Sequence, residues 1–233
     1  NNLPGNKSGV IQPSFQGGIA DGFVTEIKND GSAIIKTSYF GTSGIDLIYG
    51  LKFDRKGFPY IMGTTTGSWP VVNAAYSNPG SKQFIAKLQP DLSAYVYSTI
   101  FGTSIAQPNI SPIAFLVDRC ENVYVSGWGG GINGSYSPGT TQGLPETNPL
   151  NGIPIPDGKD FYFFVLEKNA QSRLFASHFG RNGGLGEHVD GGTSRFDANG
   201  VIYQAICGEC DGSAGFPITA GASSCRDNGG YNL

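Results

Sequence analysis

The chain has 233 residues, of which 14% are charged, 36 are Gly and 14 are Pro, and its net charge is -3. An average protein has about 25% charged residues and about 7% Gly, so this composition excludes a helical bundle or coiled coil built from Ala, Leu, Glu and Lys, and the 12% aromatic content argues against disorder. Lys and Arg are scattered singly, with no basic stripe for nucleic acid, and no run reaches the ~18 apolar residues of a membrane span, so neither nucleic acid nor membrane insertion is expected.

The N-terminal NNLPGNKSG lacks the charged start and apolar core of a signal peptide. From Asp21 to Ser43 the sequence predicts two alternating strands around an NDGS turn at Asn29 to Ser32. In FVTEI, Phe23, Thr25 and Ile27 point one way, and Val24 and Glu26 the other. Apolar residues on both sides predict a sheet covered on each face. Next comes YGLKFDRKGFPYIMGTT, a strand ending in Asp54, a turn over Arg55 to Gly57, and a strand carrying Tyr60. Trp69-Pro70 follows, and then a second two-strand segment, KQFIAKLQPDLSAYVYSTIFGTS, from Lys82 to Ser104.

The same three patterns then recur. IAFLVDRCENVYVSGWG repeats the Asp and Tyr offsets with Asp118 and Tyr124, and GTSRFDANGVIYQAICG repeats them with Asp197 and Tyr203. DFYFFVLEKNAQSRLFASHFG, from Asp160 to Gly180, repeats the two-strand segment. Leu144-Pro145 and Phe216-Pro217 repeat Trp69-Pro70. The excess length falls in Gly/Pro-rich loops, Trp128 to Lys159 and Arg181 to Gly192, because lengthening a loop costs little closure entropy. Asp54, Asp118 and Asp197 are expected to accept backbone N–H bonds inside their turns. Four strands per roughly 60 residues, repeated, predict an all-β chain of β-propeller blades, each a four-stranded antiparallel sheet.

Little coherent chemistry emerges, and no catalytic residue, cofactor or metal ligand is assigned. Glu187, His188 and Asp190 share one Gly-rich loop, where a metal or acid/base site competes with simple bonding to loop backbone. A lone His without a nucleophile makes no triad, so the structural role is favoured. His178 is read as a packed strand residue. Trp69, Trp128 and Tyr136 lie near loops and could stack on a sugar ring, although such residues more often pack. The Gly runs at Gly129 to Gly131 and Gly183 to Gly186 are not phosphate cradles, since no strand-to-helix junction holds them. Sequons at Asn6, Asn109 and Asn133 are weak patterns. Cys120, Cys207, Cys210 and Cys225 suit one or two disulfides in an exported protein, and the C-x-x-C also permits a metal site.

The stretches GLKFDRKGFPYIMGTT, FIAKLQPDLSAYVYSTIFGTS, FLVDRCENVYVSGWGGG and FGRNGGLGEHVDGGTSRFDANGVIYQAICGEC resemble the SBBP (seven-bladed β-propeller) repeat of bacterial surface proteins. The version is similar to that of large Bacteroidota exoproteins of the gliding-motility-associated, type IX-secreted kind. The resemblance implies that the Asp-ending strand lies innermost, followed by the Tyr strand and then the two strands of the third set. On that register the chain is a fragment of a larger propeller. It would have an outer half-blade over 19–43, a blade over 44–104, a blade with long insertions over 105–181, and an inner half-blade with the start of a next strand over 182–233. Cys225 would bond Cys207 or Cys210, leaving Cys120 without an obvious partner. The function implied is a non-catalytic, extracellular cell-surface scaffold for display, adhesion or protein interaction. Its partners would be other domains of a parent chain, the type IX secretion machinery, and surface glycans or proteins. A glycan- or ligand-binding propeller is the alternative, with Trp128, Tyr136, Glu187, His188 and Asp190 on the ligand loops, and a propeller hydrolase or lyase is a third.

Overall fold

The computed structural model describes residues 2–130, 139–151, 153, 156–183, 186–188, 194–197, 199–205, 217, 220 and 221. The described residues are almost entirely strand and loop. They form β1 (Gly22–Ile27), β2 (Ile34–Phe40), β3 (Asp46–Phe53), β4 (Pro59–Thr65), β5 (Gln83–Leu88), β6 (Tyr95–Phe101), β7 (Ser111–Val117), β8 (Val123–Trp128), β9 (Phe161–Leu166), β10 (Arg173–Phe179), β11 (Ser194–Phe196) and β12 (Ile202–Gln204), with one 3-10 turn at Lys168–Ala170. Two four-stranded antiparallel sheets result, in the orders β3-β4-β5-β6 and β7-β8-β9-β10, and neither is closed. Two further sheets have two strands each, β1-β2 and β11-β12. The strand order follows the sequence order, because each strand is joined to the next by a turn or loop that reverses direction.

The tight turns form where the repeated aspartates predict them. Asp54 Oδ1 accepts the N–H groups of Lys56 at 2.8 Å and Phe58 at 3.0 Å. Asp197 Oδ1 accepts those of Asn199 at 2.8 Å and Val201 at 2.9 Å. Asp118 Oδ1 accepts the Asn122 N–H at 2.8 Å. A carboxylate in that place satisfies N–H groups that the turning backbone would otherwise leave to solvent.

The chain divides into two compact units. The first holds Asn1–Pro108 with Arg119–Glu121 and Lys168–Ser172, and the second holds Asn109–Asp118, Asn122–Glu167 and Arg173–Leu233. In the first unit, Val24 and Phe40 of the small sheet join Ile61, Phe84, Ala86, Leu88 and Ile100 in one core. Trp69 closes this core by stacking on Phe84, with ring centroids 3.5 Å apart and planes 5° from parallel. In the second unit, Trp128, Phe161 and Phe163 form the centre, with Phe175, Phe179 and Ile202 packed against them. Burying one such side chain stabilises by roughly 1.5–3 kcal/mol.

The long loops lie along the outer strands. The β4–β5 loop bridges Val72 to Ser98 of β6, and the β8–β9 loop bridges Thr147 to Ala176 of β10. The segment before β1 does the same for β2, whose Thr37 and Tyr39 N–H groups donate to the Asn6 and Gln12 carbonyls. An outer strand with bare N–H and C=O groups invites uncontrolled pairing, and these segments cover it.

The faces of the first sheet depart from the sequence expectation. Val24 is buried, but Phe23 and Ile27 on the opposite face are exposed. Apolar alternation reported which residues can be covered, while actual cover depends on a neighbour that β1 lacks among the described residues.

Candidate functional site

Gly180, just after β10, brings two acids together. A Cβ built there would stand 2.5 Å from Glu187 Oε2 and 2.7 Å from Asp160 Oδ1, so a side chain at this position would have to displace one of the two carboxylates. Asp160, the residue before β9, accepts the Asp157 N–H through Oδ2 at 3.2 Å. Asp157 in turn accepts the N–H groups of Lys159 at 3.0 Å and Gly183 at 2.7 Å. Arg181 Nε lies 3.4 Å from Glu187 Oε1, a loose ion pair between two buried side chains. Burial above all, and then the Asp160 charge, push the Glu187 carboxyl up to about 7. Asp160 is also raised, by burial first and then by Asp157. His188 is buried beside Glu187.

A carboxyl poised near neutrality with a second acid in reach is the arrangement that proton transfer requires. Glu187, however, is only 1% exposed and Asp160 1%. No group of three or more His, Cys, Asp or Glu side chains suited to a metal occurs among the described residues. Asp190 and Tyr136 lie outside the described residues.

The tryptophans are core residues. Trp128 ends β8 against Phe161, centroids 6.2 Å apart, and Trp69 Nε1 donates to Ser98 Oγ at 2.9 Å, so neither offers an indole face to solvent. His178 fills its strand position, with Nδ1 2.9 Å from Glu146 Oε1 and Nε2 2.8 Å from the Thr141 carbonyl, which ties the β8–β9 loop to β10. Asn109 is fully buried and donates to the Thr140 carbonyl at 2.8 Å, so the fold withholds that sequon from glycosylation. Cys120 is exposed and no disulfide is found among the described residues. Cys207, Cys210 and Cys225 lie outside them.

A second polar cluster, in the first unit, escaped the sequence reading. Lys87 Nζ lies 2.8 Å from Asp54 Oδ2 and 2.8 Å from Glu121 Oε2. It also sits 4.7 Å from the Phe58 ring centroid and 5.0 Å from that of Tyr60, close enough for cation–π attraction. Glu121 is reached as well by Lys168 at 3.0 Å and Lys56 at 3.4 Å. Hydrogen bonding to Lys87 leads the causes that hold its carboxyl down at about 2. In the repeat, Glu121 stands where Gly57 and Gly200 stand in the other two turns. Those glycines have φ of +82° and +83°, and Glu121 is held at +68°. Glu121 is held in the left-handed region that a side chain disfavours, and its carboxylate there meets three lysines. The signal was present in the sequence as a missing turn glycine, together with a lysine in an otherwise apolar strand.

No protein-family model matches the chain, and no curated protein matches it significantly.

Proposed function

We propose that this chain is a non-catalytic structural segment of a secreted bacterial cell-surface protein. Its sheets are blades of a β-propeller scaffold for surface display, adhesion or protein interaction. The carrying observation is where the recurring residues go. Asp54, Asp118 and Asp197 bind turn N–H groups. Trp69 and Leu144 ahead of their prolines are buried, and the carbonyls of Pro70 and Pro145 accept from Ser98 Oγ and Tyr162 Oη. The repeat is therefore spent on turns and packing, and Glu187, whose carboxyl is raised, is buried.

Electron microscopy or crystallography of the assembled protein tests the scaffold. Sheets arranged radially about an axis support it, and a flat or sandwiched arrangement overturns it. Saturable binding on a glycan array, lost on substituting residues of the long loops, would transfer the assignment to the ligand-binding alternative.

A further inference from the structure

The strand pairs β1-β2, β5-β6 and β9-β10 each end in Phe-Gly, at Phe40-Gly41, Phe101-Gly102 and Phe179-Gly180. The residue before each pair is Asp21, Lys82 or Asp160. Two of these three places carry a positive charge of their own. Lys82 Nζ donates to the Thr66 and Gly67 carbonyls at 3.1 and 2.8 Å. Arg181 lies 3.4 Å from Glu187, the acid that meets Asp160 at Gly180. At Gly41 there are two acids, Asp21 and Asp46, and among the described residues no Lys, Arg or His side chain is ion-paired to either.

The backbone around Gly41 is arranged about these two carboxylates. A Cβ at Gly41 would stand 2.2 Å from Asp21 Oδ1, so a side chain there would displace it. Asp21 Oδ2 accepts the Gln16 N–H at 2.6 Å. Asp46 opens β3, and its N–H donates at 2.8 Å to the carbonyl of Ala20, the residue before Asp21. Asp46 Oδ2 accepts from the N–H and the hydroxyl of Thr42 at 2.6 and 2.8 Å. The two acids feel each other: after burial, the Asp46 charge pushes the Asp21 carboxyl up. One oxygen on each is left over. Asp21 Oδ1 and Asp46 Oδ1 are both buried and accept no hydrogen bond, and Asp46 is 0% exposed. Buried carboxylate oxygens with neither donor nor counter-charge are costly to keep.

We propose that Asp21 and Asp46 hold a hard divalent cation of the calcium type between their two Oδ1 atoms. Ca2+ takes about six to eight oxygen ligands, drawn from carboxylates, backbone carbonyls and water, and this pair offers carboxylates without His or Cys. Calcium suits it better than magnesium, because the acids come from two separate segments and magnesium demands a near-ideal octahedron. The ion supplies at Gly41 the positive charge that Lys82 and Arg181 supply at the other two places. It ties the entry to β1 to the start of β3, and by binding only the folded chain it stabilises the first unit. The inference rests on the geometry of that unit and does not require the propeller reading.

The test uses the full chain, stripped with EDTA and titrated with CaCl2 at neutral pH. Equilibrium dialysis should show a bound ion, and the melting temperature should rise with Ca2+ up to the roughly millimolar range of extracellular calcium modules. Asp46→Asn keeps an acceptor for Thr42 and places an amide where the bare oxygen stood, and Asp21→Asn does the same beside Gln16. Each should weaken Ca2+ binding by about tenfold or more. In EDTA each should melt at or above the parent, because a buried charge has gone. Should one variant fail to fold, the other carries the comparison, and binding by the parent is decisive in either case. A parent that binds no Ca2+ at about ten times that concentration and melts alike in Ca2+ and EDTA would overturn the proposal, leaving the two acids to share a proton. A Ca2+ response that both variants retain in full would overturn it as well, since the ion would then sit elsewhere.

Discussion

Glu187 lies buried against Asp160, with Arg181 reaching one of its oxygens loosely. Burial pushes its carboxyl up to about 7 in the folded chain, from an ordinary value of 4.5. Between those values the native chain holds a proton that the unfolded chain has released, so stability falls as the pH rises across that window. The gap corresponds to roughly 3 kcal/mol at most. Glu187→Gln keeps the shape, removes the titration and places an amide beside Asp160. The variant should melt higher than the parent at about pH 8 and similarly at about pH 4, as read by thermal denaturation at the two pH values. A parent whose melting point does not drop between them would remove the buried-acid account. The loop carrying Glu187 was visible in the sequence, but its burial was not, because it depends on Gly180 and Asp160 closing over it from β10 and β9. Asp54, Asp118 and Asp197 were legible because turn bonding is local and needs only the residues that follow.

At the scale of the elements, alternation located the strands and the repeat gave their order within each four-stranded sheet. It did not show that the long loops run along β6 and β10, since a single bridge such as Val72 to Ser98 leaves no periodic trace. Ser98 holds one such loop: it accepts from Trp69 Nε1 at 2.9 Å and donates to the Pro70 carbonyl at 2.7 Å. Ser98→Ala leaves the indole N–H buried without an acceptor, at a cost of about 1–3 kcal/mol. In a Trp69→Phe background that donor is gone, so the same substitution should cost measurably less. A double-mutant cycle in denaturant reads the difference, and equal costs in both backgrounds would show that the pair is uncoupled. The exposed Phe23 face is the complementary lesson, since a strand's pattern records the sheet it belongs to and not whether that sheet is complete.

Among the described residues, the strongest shifts of buried carboxyls run in opposite directions in the two units. In the first, Glu121 is held at about 2, and Asp54 is also lowered, with hydrogen bonds from Lys87 and turn N–H groups outweighing its burial. Both contribute stability that is present above the ordinary carboxylate range and lost as the pH falls below it, toward about 2 for Glu121. Asp21, raised by its own burial, opposes them in part. In the second, Glu187 and Asp160 are both raised, so their contribution is complete below the ordinary range and is lost as the pH rises through about 7 for Glu187. The chain has two tryptophans, Trp69 in the first core and Trp128 in the second, so each unit has its own fluorophore. A Trp128→Phe chain, reporting the first unit, should lose melting temperature on going from about pH 5 to about pH 2.5. A Trp69→Phe chain, reporting the second, should lose it on going from about pH 5 to about pH 8. Comparing each variant only with itself across pH removes the cost of the substitution. Two fluorophores that shift together in both directions would mean that the opposing carboxylates do not act unit by unit, and the division of charge would then have no energetic consequence.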